Sequence, residues 1–203
     1  MKKYFVILFL FTIKSFYAQY EIGGGMGLSF FNAPDLNDYI NTNFSSGEDI
    51  PSFTTSADFF VQFNYDIASN YQLSIEYNYN IYSYNSTIGI GVYDLQLNQH
   101  KPSLLGYYFY AGPGYKFKIG GGMGLRISQA QEELYGSKED YSTSGIGFIA
   151  KAQGDTKLGS DFYALIAGEI IYDLPGEIKT LSNSKFDLST FGIGLKLGII
   201  YYF

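Results

Sequence analysis

Residues 190–203 place Phe191, Ile193, Leu195, Leu197, Ile199, Tyr201 and Phe203 on one parity, and Gly192, Gly194, Lys196, Gly198, Ile200 and Tyr202 on the other. Successive side chains of a strand point to opposite faces, so an apolar period of two over this length is the signature of a long strand with one greasy face. The pattern returns over residues 57–66, where Ala57, Phe59, Val61, Phe63 and Tyr65 alternate with Asp58, Phe60, Gln62, Asn64 and Asp66. It returns again over 71–81 and 115–127.

A soluble sandwich also alternates, so the question is what covers the apolar face. The polar parity carries Gly, Asn, Gln and isolated charges, while the apolar parity carries large rings, with Tyr or Phe near the segment ends. Aromatic residues at the ends of a strand suit the two membrane interfaces. Segments of ten to fifteen residues exceed the usual ~5–6 of soluble strands and suffice to cross the hydrocarbon at a tilt. Composition agrees: 24 Gly, 21 Tyr and 18 Phe in 203 residues, with no Trp and no Cys, are unlike a helical enzyme and exclude disulfide and thiolate-metal sites. The acidic balance, a net charge of -6, gives no footprint for nucleic acid.

The first eighteen residues form an export signal: Lys2 and Lys3 precede an apolar stretch from Tyr4 to Ile13, and Ala18 offers a cleavage position. Its removal leaves ten basic against nineteen acidic residues, a net charge of about -9. The mature domain is then 19–203, and no run of eighteen apolar residues in it makes a membrane helix. Eight strands are predicted, at roughly 20–31, 53–66, 71–84, 90–111, 115–130, 141–156, 161–173 and 188–203. Short connections at 68–70, 112–114 and 157–160 interleave with longer ones at 32–51, 85–89, 131–140 and 174–186. That order is expected of an all-β, eight-stranded antiparallel up-and-down transmembrane β-barrel with tight periplasmic turns and longer outer loops. Pro102 has no N–H for a ladder, so His100-Lys101-Pro102 is expected to form a bulge or kink, with the upper half of that long strand clear of the membrane. A short helical turn is expected at 34–40.

These residues resemble the OmpA/OmpX-like family of small outer-membrane barrels across the whole mature length. The resemblance rests on the signal ending Tyr17-Ala18-Gln19, the alternating strands and a last strand closing on Ile199-Ile200-Tyr201-Tyr202-Phe203. It implies location in the cell outer membrane, contact with lipid and lipopolysaccharide, a monomer, and Phe203 as a determinant read by the barrel-assembly machinery. An OmpA-like peptidoglycan-binding domain would have to follow the last strand, so that function is not carried over.

Ile22-Gly23-Gly24-Gly25-Met26-Gly27-Leu28 recurs as residues 119–125. It lacks the spacing and the following helix of a dinucleotide site, and reads as glycine making room for side chains opposite in a narrow lumen. On the lumen parity lie Asp58, Glu76, Arg126, Lys151, Glu169 and Lys196. Buried charges must pair, so a cross-lumen network is expected, crowded by Phe60, Tyr163 and Leu165, with a gated ion path as the alternative. His100 is the single histidine; Ser103 stands three residues on, a spacing that sends the two to opposite faces unless a bulge intervenes. No catalytic, cofactor or metal set is expected. The outer segments are acidic, with Asp35, Asp38, Glu48 and Asp49 in one and Glu132, Glu133, Glu139 and Asp140 against Lys138 in another. Solvated loops are the plain reading, and divalent-cation bridging to lipopolysaccharide the functional one. The chain is expected to be a non-enzymatic barrel with a structural or surface-interaction role. The alternatives are a small gated channel, a lipid-modifying enzyme or an accessory barrel of a secretion system.

Overall fold

A computed structural model describes residues 20–44, 52, 54–88, 91–179 and 185–203. The expected export signal, Glu48 and Asp49 lie outside the described residues. In chain order the elements are β1 (Tyr20–Asn32), α1 (Pro34–Phe44), β2 (Thr54–Ala68), β3 (Tyr71–Ile88), β4 (Gly91–Gly112), β5 (Tyr115–Leu134), β6 (Ser137–Lys157), β7 (Phe162–Leu174), β8 (Glu177–Lys179), β9 (Lys185–Asp187) and β10 (Thr190–Tyr202). Eight strands close into one antiparallel ring in the order β1-β10-β7-β6-β5-β4-β3-β2. The first and last strands seal it, with Gly25 opposite Gly198 and Met26 opposite Leu197. Closure of this kind leaves the ring without a free edge.

Outside, the ring is greasy. Met26 is 61% exposed, Ile75 62% and Leu197 62%, and their neighbours on the same parity are similar. A continuous apolar surface of this size is far beyond what a water-soluble monomer exposes, and it matches the lipid-facing band of a membrane barrel. Tyr20, Tyr71, Tyr108 and Tyr115 mark one rim of the band, and Phe30, Tyr172 and Phe191 the other.

Above the second rim the polarity inverts. In β4, the outward Asp94, Gln96 and Asn98 are polar, while the inward Tyr93, Leu95 and Leu97 are buried. Strand pairing continues without a break through this region: β3 reaches Ile88, and β5 joins β6 through Tyr135-Gly136 alone. The connections expected at 85–89 and 131–140 are therefore largely strand. Residues 135 and 136 have φ of 52° and 80°, the double left-handed turn that matches the twist of a hairpin. The expected bulge at His100-Lys101-Pro102 is also corrected. Tyr77 pairs with Pro102 in unbroken register, and β4 keeps one register to β5 from His100–Ile127 to Ser103–Gly124. Proline is accommodated by forgoing local ladder bonds rather than by inserting a residue.

The strand extension is filled by the segments that follow β1 and β7. Helix α1 is eleven residues long, more than the single turn expected, and starts on Pro34, whose missing N–H costs nothing at a first helical position. Its Leu36 and Ile40, one turn apart, pack with Tyr93, Leu95 and Leu97 and with Ile178, Phe186 and Leu188 of the β8–β9 segment. These side chains form an apolar core above the polar lumen, a crown seated in the mouth of the barrel.

The repeated glycine segments fall on β1 and β5, four positions apart in a ring of eight and so opposite one another. A Cβ at Gly25 would overlap the carbonyl oxygen of Leu197, and one at Gly122 that of Leu104. The obstacle is the neighbouring backbone, rather than the side chains opposite that the sequence suggests. Glycine here permits the close approach of sharply coiled strands.

Candidate functional site

Inward-facing side chains divide the lumen into tiers. Nearest the rim of the short turns, Glu21 of β1 meets Lys116 at 2.6 Å and Lys118 at 2.5 Å, both from β5 across the barrel. Lys116 also reaches Asp66 at 2.8 Å, Lys118 reaches Asp155 at 3.1 Å, and the Tyr202 hydroxyl donates to Asp155 at 2.9 Å. In the middle tier Glu76 of β3 pairs with Lys151 of β6 and, at 3.1 Å, with Lys196 of β10. Lys196 further contacts Glu169 and donates to Asn78 at 2.6 Å. Both ammonium groups flank the Phe60 ring, at 5.4 and 5.3 Å from its centroid. In the upper tier Asp173 of β7 pairs with Arg126 and, at 2.9 Å, with Lys101, while Arg126 donates to Ser103 at 3.1 Å.

The six lumen charges singled out by parity all point inward and are all buried. Glu76, Lys151, Lys196 and Glu169 come together as one cluster. Arg126 finds Asp173 instead of a member of that set, and Asp58 has no cationic partner at ion-pair distance among the described residues. Asp58 accepts hydrogen bonds from the hydroxyls of Ser29 and Ser56 and the amide of Asn80. Sequence reasoning passed over Glu21, Asp66, Lys101, Lys116, Lys118, Asp155 and Asp173. Each occupies the polar parity of its strand, Asp66 included, just before the β2 irregularity, and that signal was enough to find them.

Between the tiers the lumen is filled by apolar side chains. Phe60, Leu165, Ala167 and Ile200 pack together with Tyr163 and Tyr202, and Leu105, Tyr107 and Ile149 form a second group. Cross-lumen ion pairs and packed rings leave no wide passage, in keeping with the interior width of an eight-stranded barrel.

His100 faces outward, where its Nδ1 shares a 2.6 Å hydrogen bond with the Tyr77 hydroxyl and its ring stacks on Tyr79. Ser103 faces the lumen beside Arg126. The two sit on opposite faces of β4, so the structure does not bring them together as nucleophile and base. No group of three or more potential metal ligands converges among the described residues. Phe203 is exposed, its backbone N–H donates to the Tyr20 carbonyl at 2.9 Å, and its ring meets Tyr201 edge-on. Of the acidic outer residues, Glu133 pairs with Lys138 on the exposed face of the extension, and Glu132 lies buried within the crown.

No protein-family model matches the chain, and no curated protein matches it. Solved structures do. Ail, the attachment invasion locus protein of Yersinia pestis, aligns with a TM-score of 0.57 at 13% identity, covering 92% of this chain and 99% of that one. Neisserial surface protein A aligns at 0.54 and 12% identity, covering 90% and 96%. The outer membrane protein OprG from Pseudomonas aeruginosa aligns at 0.53 and 14%, covering 92% and 96%. Identities of 12–14% speak to architecture alone. The chain has the fold of the small eight-stranded β-barrels of bacterial outer membranes.

Proposed function

We propose that this barrel is a non-conducting outer-membrane anchor whose extension displays a surface for interaction outside the cell. The observation that carries the reading is the closure of the lumen, by three tiers of charge-paired side chains and, above them, by the apolar crown of α1 and β8–β9. A water-filled channel would need neither. Above the band, the outer face of the extension carries Asp94, Gln96, Asn98, Gln129 and Gln131, a polar surface held rigidly on paired strands and suited to headgroup sugars or a macromolecular partner. The longest connections, 33–53 and 175–189, lie at the extension, whereas the opposite rim carries only short turns and both ends of the ring, an arrangement that supports an outward-facing extension.

Two measurements test this. In cells, the mature chain should fractionate with the outer membrane, and folded protein in detergent should migrate differently from boiled protein; recovery as soluble periplasmic protein would reject the membrane assignment. In a planar bilayer, the purified barrel should show no large, steady conductance steps. Reproducible nanosiemens steps from the unaltered protein would replace the anchor reading with that of a channel.

A further inference from the structure

Within the crown, the inner faces of β4, β5 and β6 and the end of α1 line a half-open pocket of about 260 Å³ whose walls include Tyr39, Phe44, Tyr93 and Tyr141 and whose acidic groups are Glu132 and Glu139. Its aromatic walls are fixed: Phe44 stacks on Tyr93 with centroids 4.0 Å apart and meets Tyr39 edge-on. Glu132 is 8% exposed. It accepts hydrogen bonds from the hydroxyls of Tyr93 at 2.6 Å and Tyr39 at 3.3 Å, and Glu139 accepts one from Tyr141.

The anomaly is the missing countercharge. Buried carboxylates in the lumen meet a lysine or arginine, and Asp58, the exception, has Lys101 and Lys196 nearby. Glu132 has no cationic partner among the described residues, and Lys138 is turned to the outer face with Glu133 at 3.1 Å. Burial raises the Glu132 carboxyl above its ordinary range, the tyrosine donors offset this in part, and Glu139 raises it further. Burial and the adjacent carboxylate likewise push the Tyr39 and Tyr93 phenols up.

We propose that this pocket binds a small organic ammonium ion, its charge set against Glu132 and its carbon groups against the rings of Tyr39, Phe44, Tyr93 and Tyr141. Ring faces attract a weakly hydrated cation through their quadrupole, most strongly where water is excluded. A hard divalent ion fits poorly, because it asks for six or more oxygens where this pocket offers two carboxylates and phenols already engaged as donors. The pocket stands above the lumen and off the lipid-facing band, so a dissolved solute is the occupant. The inference goes beyond the anchor reading and does not depend on whether the barrel conducts.

The test uses the folded barrel in a maltoside detergent, free of choline headgroups, titrated with tetramethylammonium chloride while ring resonances are followed by NMR. Saturable shifts at Phe44 and Tyr93 are expected, with none from sodium chloride at equal ionic strength. Glu132→Gln, folded by its gel migration, should weaken binding about tenfold, and Phe44→Leu about threefold. Shifts that do not saturate, an equal response to sodium, displacement by calcium at similar concentration, or unchanged affinity in a folded variant would each overturn the proposal. If Glu132→Gln does not fold, Phe44→Leu decides the matter.

Discussion

Glu76→Gln is expected to destabilise the folded barrel by about 3–5 kcal/mol, the cost of removing one member of a buried ion pair, seen as a lower denaturant midpoint for unfolding from detergent. The substitution keeps volume and shape, so packing is not the cause. Lys196 retains Glu169 and Asn78. Lys151 is left with only the face of Phe60, 5.4 Å from its ammonium, and more distant charge. The stranded ammonium, rather than the lost carboxylate, should dominate the loss. Adding Lys151→Met to Glu76→Gln should therefore recover much of the stability, whereas Lys151→Met alone should cost less than Glu76→Gln, because Glu76 keeps Lys196 and the amide of Asn78. A midpoint unmoved by Glu76→Gln would mean that the cluster is hydrated in the folded protein, and the argument for a closed lumen would lose its central tier.

What could be read from the chain alone follows where apolar contrast is strong. The eight membrane crossings stand out because lipid on one side and a polar lumen on the other impose an unbroken period of two, and all eight are present. Inside the extension that contrast fails. Around residues 131–140 both parities carry charged or polar residues, and the hairpin turns on Tyr135, a side chain that seldom takes φ of 52°. A loop was the natural expectation, although Leu134 and Glu132 on one parity and Glu133 on the other still mark inside and outside. Helix α1 shows the same effect: Leu36 and Ile40 announce a turn, but its continuation to Phe44 depends on β4 and β9 offering a surface to pack against. In the lumen, parity places each charge correctly, yet partners depend on the stagger of strands around the ring, which no single strand encodes. Glu76 reaches β6 and β10 together, and Asp58 is met by two serines and an asparagine instead of a cation.

Gly122→Ala is expected to lower the yield of folded barrel sharply, at or beyond the upper end of the ~1–3 kcal/mol that overpacking costs. An added methyl group would overlap the Leu104 carbonyl oxygen and crowd the Leu105 Cα. Neither atom can yield cheaply, because both belong to a strand paired to β5 through Leu104–Met123 and Leu105–Gly122, and to β3 on its other side. Gly25→Ala, on the opposite strand, should behave alike through Leu197. Gly106→Ala supplies the control: the residue lies on β4 in the same layer of the ring, but a Cβ there meets nothing within 4 Å, and folding should change by no more than about 0.5 kcal/mol. Among the described glycines only 114, 136 and 176 have positive φ, so Gly25 and Gly122 are placed for space rather than for an unusual backbone conformation. A substitution tolerated at Gly122 as well as at Gly106 would show that β4 and β5 separate at little cost. The repeated glycine segments would then reflect composition rather than the coiling that lets eight strands close around so full a lumen.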